Sequence, residues 1–180
     1  MKIIYETERL FLRILNESYY MQVLTFLSRN RELFDQYEID KPSFYYTADY
    51  QKRLLQQEYN QIMKGNRIRF YIFLKENSQR IIGTVSFTDF HNVSQSCQIG
   101  YKFDPNYHHQ GYAYETISHA LSFVIPEYKL HRIEAYIQPK NLSSIHLVER
   151  LGFELEGTAR EYACIGGKWL NHLQYSFICP

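Results

Sequence analysis

The sequence predicts a mixed α+β fold: one mostly antiparallel, twisted sheet of about seven strands flanked by about four helices, in a single domain over residues 1–180. Three observations predict it. Short runs of period-two alternation recur between turn residues, as half-buried strands require. Two helical runs precede a block of three strands, and two more alternate with the strands that follow. Finally, 180 residues with 45% apolar side chains, and no repeat, low-complexity tract or linker, suit a single core.

The elements follow in order. "RLFLRI" (9–14) alternates, so Leu10, Leu12 and Ile14 share one face of a strand. "NESYYMQVLTFLS" (16–28) has helical spacing. Residues 34–50 have poor periodicity and a proline, which reads as a long loop with at most a helical turn. A second helix is expected from Ala48 to Met63, stopped by Gly65–Asn66. Three strands should then form an antiparallel meander: 68–76, apolar on both faces; 80–90; and 97–103, where Ile99, Tyr101 and Phe103 alternate. Ala113, Ile117, Ala120, Leu121 and Val124 mark one face of a third helix, with Pro126 expected to end it. Residues 131–138 are a strand. A fourth helix has Asn141 as its N-cap and Gly152 as its stop. A hairpin around Gly166–Gly167 closes the chain.

Composition narrows the function. Twenty basic side chains face nineteen acidic ones, so no basic stripe marks a nucleic-acid surface, and no direct nucleic-acid binding is expected. Three cysteines (Cys97, Cys164, Cys179) are an odd number without framework spacing, which fits free thiols in a reducing compartment. No signal-peptide pattern opens the sequence, and no apolar run approaches the roughly 20 residues of a membrane span. The expectation is a cytoplasmic protein without membrane contact. The seventeen tyrosines suit strands and aromatic grooves.

One stretch points to chemistry. "HHQGYAYETI" (108–117) places Gly111 and Ala113 between the end of a strand and the start of a helix. Small residues there let a ligand approach the unpaired N–H groups and positive dipole end of the helix, a suitable place for an anion. It is not a nucleoside-triphosphate loop, because no Gly-Lys-Ser/Thr follows, nor a dinucleotide fingerprint, because two glycines are missing. Tight helix–sheet packing alone would also select Gly and Ala.

Taken together, "TERLFLR" (7–13), "IGYKFDPNYHHQGYAYE" (99–115) and "IQPKNLSSIHLVERLGFELEG" (137–157) resemble the GNAT family of acyl-CoA N-acyltransferases, in particular its RimJ/RimL-type branch, which acetylates N-terminal amines of ribosomal proteins. The resemblance implies the GNAT fold, with its sheet splayed in the middle, and acetyl-CoA as acetyl donor with no metal. It implies that His108, His109, Gln110, Gly111, Tyr112 and Ala113 wrap the diphosphate of coenzyme A. Tyr101, Lys102 and Phe103 would lie beside the pantetheine arm, with Gly100 marking the splay. Asn141 would bind a pantetheine amide, and Ser144 would protonate the departing thiolate. Two departures stand out: His108 replaces Arg or Gln, and His109 stands where the branch usually has Gly. Gln98 stands where relatives often carry a carboxylate base. The nearest alternative base is Glu161, with Glu156 second. Tyr37, Glu38 and Tyr45, in the variable region between the early helices, are the candidate acceptor residues; aromatics with one carboxylate would suit a cationic amine.

The implied activity is direct acetyl transfer to a primary amine, such as a ribosomal-protein N-terminus. Without a strong base, an α-amine is favoured: about a tenth of it is neutral at pH 7, against under a thousandth of lysine. A non-catalytic acyl-CoA sensor, an acetyltransferase for small-molecule amines and a nucleotide phosphate-binding module remain as alternatives. Monomer and homodimer are both compatible with the sequence.

Overall fold

The structure, a computed structural model, describes residues 2–179. Its strands form one eight-stranded sheet in the order β1-β2-β3-β4-β5-β6-β8-β7. The strands are β1 (Ile4–Glu6), β2 (Leu10–Arg13), β3 (Ile68–Leu74), β4 (Ile81–His91), β5 (Ser96–Phe103), β6 (Arg132–Ile137), β7 (Glu154–Ile165) and β8 (Lys168–Ile178). The helices are α1 (Tyr20–Arg29), α2 (Arg31–Phe34), α3 (Ala48–Met63), α4 (Tyr112–Tyr128) and α5 (Leu142–Arg150). Short 3₁₀ turns at Glu17–Tyr19 and Pro105–Tyr107 lead into α1 and α4.

The expected mixed sheet is present, with one more strand and one more helix than the sequence indicated. Strand β1 is only three residues long, too short for an alternation to be read, and it pairs along β2 from Ile4↔Arg13 to Glu6↔Phe11. Helix α2 is a single turn at the start of the long loop. Pro126 does not end α4. It sits in the last turn, where the helical bond it removes is the one to the carbonyl of exposed Ser122, and the helix runs on to Tyr128. The stop is Lys129, left-handed at φ 51°, whose N–H bonds the Ile125 carbonyl.

Two cores sandwich the sheet. On one face, Leu10, Leu12, Phe70, Ile72, Val85, Phe87, Ile133 and Ala135 pack under α4 and α5 through Ile117, Ala120, Val124, Ile145 and Val148. On the other, α1, α2 and α3 cover Tyr71, Phe73 and Ile81 with Val23, Phe26, Leu27, Phe34 and Leu55. Every neighbouring pair of strands is antiparallel except β5 and β6. These two run parallel and pair only over Ser96–Gln98 and Arg132–Glu134. Beyond that point β5 stays with β4 and β6 with β8, so the sheet opens into a cleft in its middle.

Candidate active site

At the end of β5 the chain turns sharply into α4. Asp104 caps the 3₁₀ turn by accepting from Asn106 N–H, and is itself held by Arg29 at 2.8 Å and Arg80 at 3.3 Å. Burial alone would raise its carboxyl; the Asn106 N–H and the Arg29 guanidinium outweigh burial and hold it below the usual carboxylate range. His108 is turned inward, with Nε2 3.0 Å from the Phe103 carbonyl. His109 (φ 59°) and Gly111 (φ 81°) are left-handed and flank Gln110, which is not. A residue of negative φ between two of positive φ is a backbone pattern that anion-binding nests use. The first helical bond runs from Glu115 N–H to the Gly111 carbonyl at 3.0 Å, so the N–H groups of Tyr112, Ala113 and Tyr114 head the helix. His109 is strained rather than excluded here, since histidine is among the residues that tolerate this region.

The cleft between β5 and β6 brings three predicted residues together. Asn141 caps α5, its Oδ1 accepting from Ser144 N–H at 3.2 Å and from Ser143 Oγ at 3.0 Å. Ser144 Oγ donates to the Tyr101 hydroxyl at 3.1 Å, and that hydroxyl donates to the Ser144 carbonyl at 3.1 Å. Burial pushes the Tyr101 phenol up to about 12, so it stays protonated at neutral pH. Strand β5 and helix α5 are thus tied at the mouth of the cleft, although these residues lie 43 positions apart.

The opposite face of the sheet carries the predicted acceptor residues. Along β5, Gln98, Gly100 and Lys102 point away from the α4–α5 core. Lys102 Nζ bonds Glu38 Oε1 at 2.6 Å, and Lys41 Nζ meets Glu38 Oε2 at 2.8 Å. Glu38 therefore does not present a free carboxylate: two lysines share its charge. Burial would raise its pKa, but Lys102 and then Lys41 bring it below the usual range, while burial depresses Lys102 itself. The Tyr45 ring lies 5.1 Å from Lys41 Nζ and the Tyr37 ring 5.4 Å from Lys140 Nζ. The loop carrying these residues is strapped down at both ends. Gln138 Nε2 donates to the Gln36 carbonyl at 3.1 Å, and Asp40 accepts from Gly166 N–H at 2.7 Å and Gly167 N–H at 3.0 Å at the β7–β8 turn.

Several side chains on this face escaped the sequence. Glu134 stands directly across from Gln98 in the parallel pair and is bound by Arg132 at 2.7 Å and by the Tyr136 hydroxyl at 3.1 Å. Period-two alternation along β6 put Glu134 and Tyr136 on one face, so this signal was available. Tyr162 stacks on Tyr136 (centroids 4.3 Å, 7° between planes) and donates to Gln98 Oε1 at 3.4 Å. The His172 ring lies 5.1 Å from Tyr162, and burial lowers its pKa. Nothing local announced Tyr162, because a bulge between Ala159 and Ala163 resets the register of β7. Glu161 sits in that bulge, exposed, at φ 48°, with its N–H bonded to Asn171 Oδ1 at 2.9 Å. Glu156 is clamped by Arg132, which with Ser176 lowers its carboxyl to about 2.

The family model "Acetyltransferase (GNAT) domain" matches residues 9–154. The chain belongs to the GNAT acetyltransferase family. It is 33% identical over 154 residues to the "Probable N-acetyltransferase YjcK" of Bacillus subtilis (strain 168), covering 85% of this chain and 84% of that one. It is 28% identical over 176 residues to the "[Ribosomal protein uS5]-alanine N-acetyltransferase" of Escherichia coli (strain K12), covering 97% and 90%. Among solved structures, a ribosomal-protein-S5-alanine acetyltransferase from Vibrio fischeri superposes with a TM-score of 0.91 at 26% identity, covering 98% and 97%. A RimL ribosomal L7/L12 alpha-N-protein acetyltransferase in complex with coenzyme A shares the fold, with a TM-score of 0.89 at 20% identity and 98% of both chains covered. This GNAT chain is accordingly an N-acetyltransferase with ribosomal-protein acetyltransferases among its relatives. Among its described residues no group of three or more His, Cys, Asp or Glu could hold a metal ion, and no helix is long and apolar enough to cross a membrane.

Proposed function

We propose that the enzyme acetylates the α-amine of a protein N-terminus, of the ribosomal-protein-alanine type, with acetyl-CoA as donor. The observation that carries this reading is the state of the carboxylates on the acceptor face. Glu38, Glu134 and Glu156 are each already paired with Lys or Arg, Asp40 is taken up by the Gly166 and Gly167 N–H groups, Glu161 lies out in the β7 bulge, and the position beside the cleft is Gln98. A polyamine, cationic at several nitrogens, needs free carboxylates to hold it. An α-amine needs none: with a reference pKa near 8, about a tenth of it is neutral at pH 7, a gap of roughly 3 kcal/mol over lysine. The likeness to the uS5-alanine enzyme along nearly the whole chain supports the same choice.

The residues suit the donor. The left-handed pair His109 and Gly111 and the head of α4 offer converging N–H groups to a diphosphate, and Gly111 keeps the approach free of a side chain. Asn141 and the open edges of β5 (Tyr101, Lys102, Phe103) and β6 supply polar groups along the cleft for an amide-bearing arm. Acetyl-CoA supplies an activated thioester there. The chain's own part is positioning and polarisation: backbone N–H groups of β5 beyond Gln98 face the reacting carbonyl. Ser144 Oγ–H, donated to the Tyr101 hydroxyl before reaction, turns to the sulfur as the C–S bond breaks, and the serine oxygen regains a proton from water. The amine's own proton leaves to water. Mass-spectrometric mapping of a peptide library incubated with enzyme and acetyl-CoA tests the reading: acetyl groups on N-terminal amines are expected, and acetylation confined to lysine side chains or polyamines would reject it.

A further inference from the structure

We propose that Arg9, on the turn before β2, is a positioning residue for the donor: it aims the diphosphate loop without touching the ligand. The inference rests on the proposed role of residues 108–113 as the diphosphate site. Arg9 Nη1 donates to the Gln110 carbonyl at 3.1 Å, across 101 residues of sequence. The Gln110–Gly111 peptide is trans, so its carbonyl and the Gly111 N–H point in opposite directions. Holding the carbonyl against Arg9 therefore turns the Gly111 N–H out to the opposite side, at the head of α4.

The guanidinium is itself held on its other edge. Nε bonds Glu115 Oε2 at 2.7 Å, Nη2 approaches the same oxygen at 2.6 Å, and the Arg9 backbone N–H bonds Oε1 at 3.1 Å. Thr7 Oγ1 also donates to Glu115 Oε1, and the Tyr112 ring lies 4.4 Å beneath the Arg9 carbon Cζ. Burial alone would raise the Glu115 carboxyl, but the bonds from Thr7 and Arg9 outweigh it and keep it below the usual range, so Glu115 stays ionised through neutral pH. Glu115 is in the first turn of α4, so Arg9 spans the loop from its last carbonyl to the first turn of the helix. Its charge is matched by Glu115, which leaves geometry rather than charge as its contribution. A lysine cannot reproduce this, because one ammonium cannot hold the carboxylate edge-on and the carbonyl together in a fixed fork.

The test is calorimetric and needs no turnover: dissociation constants of coenzyme A and of pantetheine, which lacks the diphosphate, for wild type, Arg9→Gln and Arg9→Lys, with melting temperatures from the same preparations. Coenzyme A affinity is expected to fall about tenfold or more in both variants, the scale of a hydrogen bond to a charged group, while pantetheine affinity changes less than about twofold. Arg9→Lys keeps a cation beside Glu115, so it carries the comparison if Arg9→Gln melts too low. A folded variant that keeps the wild-type ratio of the two affinities overturns the role of Arg9. A wild-type enzyme that binds pantetheine as tightly as coenzyme A overturns instead the reading of residues 108–113 on which it rests.

Discussion

The two sides of the cleft are built by different means. The loop from Asp104 to Ala113 is one continuous stretch of backbone, a capped 3₁₀ turn, two left-handed residues and a helix start within ten positions, held from outside by three arginines, Arg9, Arg29 and Arg80. The acceptor side gets its shape from side chains that meet from far apart, Lys102 with Glu38 across 64 residues, Gln138 with Gln36 across 102, and Asp40 with the Gly166 turn across 126. A site made of backbone groups tolerates changes in most of its side chains, so it keeps a common donor. A site made of paired side chains can be re-paired one residue at a time, so under the proposed function acceptor preference is set there.

Four experiments bear on this difference. The largest effect is expected where the two sides meet. Ser144→Ala should lower turnover by about 100-fold or more, the range of general acid catalysis, with coenzyme A affinity unchanged. A variant that melts lower but turns over normally would leave Ser144 as a helix residue only.

On the backbone side, Gly111→Glu adds a Cβ 3.4 Å from Arg9 Nη2, at φ 81°, and a negative charge at the head of the helix. A charge about 5 Å from a phosphate costs roughly 3 kcal/mol at an effective dielectric of about 20, so coenzyme A affinity should fall about 100-fold by calorimetry. Unchanged affinity in a folded variant would remove the loop from the site.

The side-chain side should respond differently. Glu38→Gln leaves Lys41 and Lys102 without their shared anion, and is expected to cost roughly 1–3 kcal/mol of stability in chemical unfolding. It should raise KM for the peptide about tenfold while leaving KM for acetyl-CoA alone. Equal shifts in both constants would mean that the two sides are not separable.

The smallest effect is in pH. Burial depresses the pKa of His172, so below the unfolded value of about 6.5 the unfolded chain binds more protons than the folded one, and stability falls as pH drops. The slope cannot exceed about 1.4 kcal/mol per pH unit for one group. Unfolding followed between about pH 6.5 and 5 should show it, and His172→Gln should flatten it. The carboxylates held below their usual range, Glu115 and Asp104 among them, lose their contribution only at lower pH, as pH falls through their folded values.

The same contrast explains what the sequence revealed. The continuous apolar run of β3, the alternation in β4 and β5 and the helical faces of α3 and α4 are local patterns, so those elements were legible nearly to the residue. Gly111 and Asn141 were legible because a left-handed helix entry and an N-cap each demand a narrow set of residues. The three residues of β1 and the single turn of α2 were too short to carry a period. Tyr162 was hidden by the β7 bulge, because shifting a strand by one position changes which face a side chain takes. The neutralisation of Glu38 was hidden for a simpler reason: a carboxylate in a sequence does not say which lysines will meet it.

The proposed reaction moves acetyl from acetyl-CoA to an α-amine. It is tested most directly by thiol release from acetyl-CoA with three acceptors: a peptide starting with alanine, the same peptide with a blocked N-terminus and one internal lysine, and spermidine. Release with the first alone, rising with pH toward the pKa of the acceptor amine, is the predicted result. Release with the blocked peptide or spermidine at an equal or higher rate would contradict it.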